Sequence, residues 1–99
     1  MLVKIHKNPD GKTTVAVCDT ELFGQKYEEG DLILDLTSEF YKGEERDAKE
    51  IGDILRNADC VNLVGEKAVK IGIEEDVIDE ENVRKIDGIP YAQATIIHD

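Results

Sequence analysis

His6 is the titratable side chain that most invites a chemical role. Histidine changes charge near neutral pH, so on a polar surface it would serve as an anion contact or a general base. No serine, aspartate or second histidine stands in a recognisable relation to it, and the plainer reading is a surface or hydrogen-bonded imidazole. A second locus is Val64-Gly65-Glu66, where an apolar run gives way to a helical pattern. α/β folds bind phosphates at such junctions, but a single glycine is a weak signal. Glu66 also places negative charge where an anion would sit, which favours a tight turn with a dipole-matched glutamate. Asn62 lies in the middle of the apolar run Cys60-Val61-Asn62-Leu63-Val64. A buried amide there must find hydrogen-bond partners or be costly. It either stitches neighbouring loops together or lines a small polar pocket with Gly65 and Glu66.

The side chains that a metal would choose are His6, Cys18, Cys60, His98 and Asp99. They show none of the short ligand pairings of zinc sites, so no metal and no cofactor is expected. The acidic runs at 74–76 and 79–81 lack the spacing of a calcium loop and read as solvated helix ends. No catalytic residue is assigned. Basic groups gather in two places: Lys4, His6, Lys7 and Lys12 near the start, and Arg84 and Lys85 with Tyr91 near the end. Lys67 and Lys70 lie on the helix between them. If the two hairpins that carry these groups are neighbours, they form a modest cationic window able to meet RNA phosphates. The competing reading is a scatter of solubilising lysines. With only five aromatic residues, three Tyr and two Phe, extensive base stacking is excluded.

The elements that must position these groups follow from the hydrophobic pattern. Residues 3–7 and 12–17 alternate as half-buried strands around Asn8-Pro9-Asp10-Gly11, a turn in which Gly11 takes the left-handed position. The register this sets puts Ile5 opposite Val15 and Val3 opposite Val17 on one face. Lys4, His6, Thr14 and Ala16 are left on the other. A slip by one residue would scatter the apolar set. Residues 19–30 read as a connector in which Asp19 opens a short helical turn closed by Gly24. Residues 31–36 read as a third strand and 37–43 as a loop. Asp47 and Glu50 have the spacing of a capping box, with Ala48, Ile51, Ile54, Leu55 and Ala58 on one helical stripe behind them. Residues 60–64 are a buried strand, so 31–64 suggests a parallel strand–helix–strand unit. A second helix follows Gly65, with Ala68, Val69 and Ile73 on one face. Asp79-Glu80-Glu81 caps a short turn, and Asp87-Gly88 joins two strands as a hairpin. Pro90 restricts the last strand to an edge or to its own first residues. The fold class is α/β, a mixed sheet in a single domain over 1–99, with an N-terminal hairpin, a strand–helix–strand unit, a second helix and a C-terminal hairpin.

Of the 99 residues, 40% are hydrophobic and 35% charged, which is apolar enough for a packed core. No apolar run approaches the roughly 18 residues of a membrane span, and no signal-peptide core is visible. A soluble cytoplasmic protein with reduced cysteines is expected. The net charge of −11 is uneven: +2 over residues 1–18, −8 over 19–59 and −5 over 60–99. Such acidity opposes non-specific phosphate binding outside a local basic face.

Four segments carry a resemblance: Val3-Lys4-Ile5-His6-Lys7-Asn8-Pro9-Asp10-Gly11, Glu28-Glu29-Gly30-Asp31-Leu32, Ala58-Asp59-Cys60-Val61-Asn62-Leu63-Val64-Gly65-Glu66, and Ile86-Asp87-Gly88-Ile89-Pro90-Tyr91-Ala92-Gln93. Together they resemble the archaeal family known as domain of unknown function 424, along the whole chain. The resemblance implies an archaeal cytoplasm and a loose association with RNA. It carries no catalytic residues. The expectation is therefore a non-enzymatic binding module for RNA or a ribonucleoprotein, contacting it through Lys4, His6, Lys7, Lys12, Arg84, Lys85 and Tyr91. Two alternatives accompany it. One is a homodimer or protein-interaction module using the C-terminal run Ala94-Thr95-Ile96-Ile97 as an edge-like strand. The other is a small enzyme with a site near Asn62 and Glu66.

Overall fold

The computed structural model describes residues 1–97; His98 and Asp99, named above as metal ligands, lie outside the described residues. The N-terminal hairpin forms as the alternation requires. β1 (Leu2–Lys7) and β2 (Thr13–Cys18) pair antiparallel with Val3 opposite Val17 and Ile5 opposite Val15. Gly11 takes φ +86° in the turn, where Gly11 N–H donates to the Asn8 carbonyl at 3.0 Å.

The chain then departs from the expected order. The segment read as a connector contributes β3 (Lys26–Glu29), which pairs with β4 (Leu32–Asp35) in a separate two-stranded sheet. Charged Lys26, Glu28 and Glu29 hid this strand, because it shields apolar surface beneath it rather than forming a core layer. A short 3-10 turn (Glu39–Tyr41) and a two-residue strand β5 (Glu44–Glu45) follow. Helix α1 (Ala48–Arg56) starts at Asp47, whose Oδ1 accepts from Glu50 N–H at 2.9 Å. The Glu50 side chain turns to Arg46 at 3.6 Å instead of closing the expected capping box. Ile51 and Leu55 are buried as predicted, whereas Ala48 is exposed.

β6 (Cys60–Val64) is parallel to β2, not to β4, so the expected parallel unit over 31–64 is replaced by a longer crossover from β2. Helix α2 (Glu66–Glu74), a 3-10 turn (Glu80–Asn82) and the hairpin of β7 (Arg84–Ile86) and β8 (Ile89–Thr95) complete the described chain. Asp87 and Gly88, at φ +51° and +80°, make the tight turn their types demand.

The six-stranded sheet has the order β5-β1-β2-β6-β8-β7. One face carries both helices: Val15, Val17, Val61, Leu63 and Ala92 pack against Ile51, Leu55, Ala68 and Val69. The other face is half covered. There Cys18 and Val64 lie under Leu36, Tyr27, Leu34 and Tyr41. The start of the C-terminal run pairs on one side with β6, Ala94 opposite Val61 and Thr95 opposite Cys60. Its outer side is covered by β7 only as far as Tyr91.

Candidate binding surface

Register fixes which side chains share the half-covered face. One row reads Lys4–Ala16–Asn62–Gln93 and the next His6–Thr14–Cys60–Thr95. Thr14, Cys60, Asn62, Gln93 and Thr95 of these rows form an open polar floor, while Ala16 is buried and His6 lies under Phe40. The floor residues line a shallow depression of about 490 Å³. Among the described residues, the Asn62 and Gln93 amides make no side-chain hydrogen bond. Asn62 is half-buried and faces this floor. It therefore neither stitches loops nor sits beside Glu66, as the apolar run around it had suggested.

His6 stands at one border of the floor and is pinned. Its ring stacks on Phe40 with centroids 4.4 Å apart and planes 12° from parallel, and Phe40 meets Tyr41 edge-on. Nε2 lies 2.9 Å from the Phe40 carbonyl oxygen. A carbonyl only accepts, so Nε2 carries the proton and donates, which leaves Nδ1 as the lone-pair nitrogen of the neutral ring. The imidazole thus anchors the 3-10 turn Glu39–Tyr41 over β1 and β2. Phe40 had no signal in the sequence, since an aromatic in a loop reveals no partner 34 residues away.

Gly65 and Glu66 belong to a different place. They line a small depression of about 160 Å³ with Asp19, Glu21, Lys67 and Gly88. Asp19 is buried, with Oδ1 2.9 Å from Ala68 N and Oδ2 3.1 Å from Lys67 N. A carboxylate already occupies the N-terminus of α2, where a phosphate would have bound. Gly65 is needed for this contact: φ is +107°, and a Cβ would stand 2.3 Å from Asp19 Cγ. Asp19 was read as the cap of a local turn. It precedes such a turn (Thr20–Leu22), but its side chain makes no cap there and reaches α2 instead. The expected trio is consequently split: Gly65 and Glu66 share one depression and Asn62 lines another.

The cations are split as well. Lys4 lies on β1 and Arg84 on the short edge strand β7, four strand spacings apart, or about 19 Å. The two hairpins are separated by β6 and form no joint window. Tyr91 sits beside Arg84 but packs into the covered cluster with Cys18, Leu36 and Val64, so its ring is not a free stacking surface. Lys67 and Lys70 are exposed on α2, across the sheet from the floor, and Lys70 lies 4.0 Å from Glu74. Lys4, Lys7 and Lys12 remain together on β1 and its turn, and among the described residues they make no ion pair. Lys42, Arg46 and Arg56, by contrast, are each held by a carboxylate.

The two thiols also differ. Burial, aided by the charges of Asp19 and Glu21, pushes Cys18 from 9.0 up to about 12. Burial likewise pushes Tyr41 up to about 12. Cys60 is partly exposed on the open floor, its Sγ 3.9 Å from Thr95 Oγ1. Among the described residues, no three His, Cys, Asp or Glu side chains are placed to hold a metal ion. None of the described helices is long and apolar enough to cross a membrane.

Taken as a class, the chain is a mixed α/β domain with helices on one sheet face and a small hairpin half-covering the other. The same fold occurs in the crystal structure of an uncharacterized conserved protein from Methanopyrus kandleri, at a TM-score of 0.81 and 23% identity over 99% of this chain and 92% of that one. No curated protein matches. A family model described as Protein of unknown function (DUF424) matches residues 6–97, and the chain belongs to that family.

Proposed function

We propose that the protein is a non-catalytic binding module that docks on RNA through the open half of its sheet. The observation that carries this reading is the adjacency of two unsatisfied sets. Lys4, Lys7 and Lys12 lack ionic partners, and Lys4 shares a row of the sheet, across Ala16, with Asn62 and Gln93, whose amides are free, whereas Lys7 lies on the face of Ile5. Lysines of this kind hold phosphates, while amides on a sheet floor reach base edges or ribose hydroxyls. The rest of the surface is acidic and repels the same ligand, which confines contact to this patch. Arg84, Lys85 and Tyr91 fall outside it, and His6 contributes by holding Phe40 in place. An archaeal, cytoplasmic ribonucleoprotein setting accords with this reading.

Titration of purified protein with total tRNA and rRNA fragments over a salt series tests it. Changing Lys4, Lys7 and Lys12 together to Ala should weaken binding and lower the salt slope by roughly 2, at about 0.7 per lost single-strand phosphate contact. Absence of binding at low salt would retire the proposal.

A second reading, a homodimer, draws on the outer edge of β8 beyond Tyr91. The side chain of Ile97 just past it is 88% exposed. Light scattering that shows only monomer at high concentration would remove it. The small-enzyme reading needs Asn62 and Glu66 at one site, and their placement in separate depressions argues against it.

A further inference from the structure

Helix α2 is tied to the last hairpin at its start, where Gly65 N–H donates to the Pro90 carbonyl at 2.8 Å. The 3-10 turn Glu80–Asn82 is held by a reciprocal cap: Asp79 N–H donates to Asn82 Oδ1 at 2.8 Å, and Asn82 N–H to the Asp79 carbonyl at 2.9 Å. Where the helix, this turn and Pro90 meet, a hollow of about 440 Å³ is left open. One stripe of α2 forms its wall, with Glu66, Val69, Lys70, Ile73 and Glu74 at helical spacing. Val69 and Pro90 are buried and Ile73 is half-buried, so the floor is apolar and the charges stand on the rim. Ala92, two residues beyond Pro90, packs in the helix-side core, which places this floor across the sheet from Asn62 and Gln93.

Carboxylates outnumber cations 23 to 12 over the whole chain, so an acidic rim alone decides nothing. This hollow differs in that its charges do not cancel. Lys70 lies 4.0 Å from Glu74, but Glu66 and Glu80 make no ion pair among the described residues. In the hollow beside β1, by contrast, Glu39 and Glu44 are matched by Lys42 and Arg46. The depression on the polar floor has no charged lining at all. In the smaller depression past Glu66, Lys67 stands against Glu21, and Asp19 is held by two N–H groups of α2. Glu74, in the last turn of α2, also sits at the negative end of the helix dipole, where a cation is favoured.

Unmatched carboxylates around an apolar floor fit a ligand that is apolar in the middle and cationic on either side. Glu66 and Glu74 lie eight residues apart on α2, or about 12 Å along its axis. In an extended chain, side chains at i, i+2 and i+4 share one face, and the outer two are about 13 Å apart. We propose that this hollow docks an extended basic segment of a protein partner, with lysine or arginine at i and i+4 and an apolar residue at i+2. The apolar residue sits on Val69, Ile73 and Pro90, and the two cations meet Glu66, Glu74 and Glu80. The site goes beyond the RNA reading and does not depend on it.

The test titrates 15N-labelled protein with the capped peptide Lys-Ser-Leu-Ser-Lys at low salt. Shifts centred on Glu66, Val69, Ile73 and Glu80 are expected. Glu66→Gln combined with Glu80→Gln, both at exposed positions, should weaken binding about fivefold. Replacing the peptide leucine with serine should weaken it by a similar factor, through loss of the apolar contact. Absence of binding at low salt would overturn the proposal. So would an equal loss from Glu28→Gln combined with Asp31→Asn, which line neither hollow beside α2, because attraction would then be a property of the whole acidic surface. Affinity indifferent to the leucine would overturn it as well, by showing that charge alone holds the peptide.

Discussion

The two faces of the six-stranded sheet are made by alternate residues of the same strands, yet they are finished differently. On the helix side Val15, Val17, Val61, Leu63 and Ala92 form one apolar cluster with residues of α1 and α2. On the other side the pattern changes along each strand. Cys18 and Val64 lie buried under the β3–β4 hairpin, while Thr14, Cys60 and Asn62 lie open a few residues away. The first face supplies stability, and the uncovered half of the second is free to do something else. The difference teaches where to look: a strand that is apolar at one end and amide-rich at the other marks the border of its cover.

Substitutions on the two faces should separate most sharply in stability. Leu63→Ala should cost about 2–5 kcal/mol in urea unfolding. Asn62→Ala, next to it but on the open floor, should stay within about 0.5 kcal/mol. Equal losses would break the distinction between the faces. Asp19→Ala should cost about 1–3 kcal/mol, because two N–H groups of α2 lose their acceptor in a buried site. A loss near zero would show that α2 does not depend on this contact.

The covered half of the second face should reveal itself through alkaline titration. Cys18 and Tyr41 deprotonate near 9.0 and 10.0 when unfolded but near 12 when folded. From pH 9 to 12 the unfolded chain thus binds fewer protons than the folded one, so stability falls as pH rises through that window. Below pH 9 these two groups leave it flat. Urea midpoints at pH 8, 9 and 10.5 check the sign, and Cys18→Ala should shallow the slope. The smallest perturbation is thiol labelling at pH 8, in which Cys60 should react with iodoacetamide under native conditions and Cys18 only after unfolding. Equal rates would mean that the β3–β4 cover opens readily.

The helix-covered face was legible in the sequence. Val3, Ile5, Val15 and Val17 fixed the hairpin register, Asp47 fixed the start of α1, and Asp87-Gly88 fixed the last turn. These features are local, set by side-chain periodicity and turn geometry within a few residues. The second face was not legible in the same way. β3 is made of Lys26, Tyr27, Glu28 and Glu29, too charged to announce a strand. The parallel pairing of β2 with β6 depends on sheet order, which no local pattern encodes. The contact of Asp19 with α2 spans 48 or 49 residues, and that of His6 with Phe40 spans 34. Lys4, Lys7 and Lys12 were found from clustering alone. Asn62 stood out as an amide in an apolar run, but its direction depended on knowing which face each strand position took. Gln93 and Thr95 do alternate with Ala92 and Ala94, a signal that makes sense once Asn62 is seen to be their neighbour.

The account turns on the open half of the sheet being the ligand surface. Its most direct test is to follow the amides of 15N-labelled protein while adding tRNA at low salt. The account predicts shifts at Lys4, Thr14, Asn62, Gln93 and Thr95 that disappear as salt is raised. Shifts centred on α1, α2 or the Arg84–Tyr91 edge, with the floor unmoved, would contradict it.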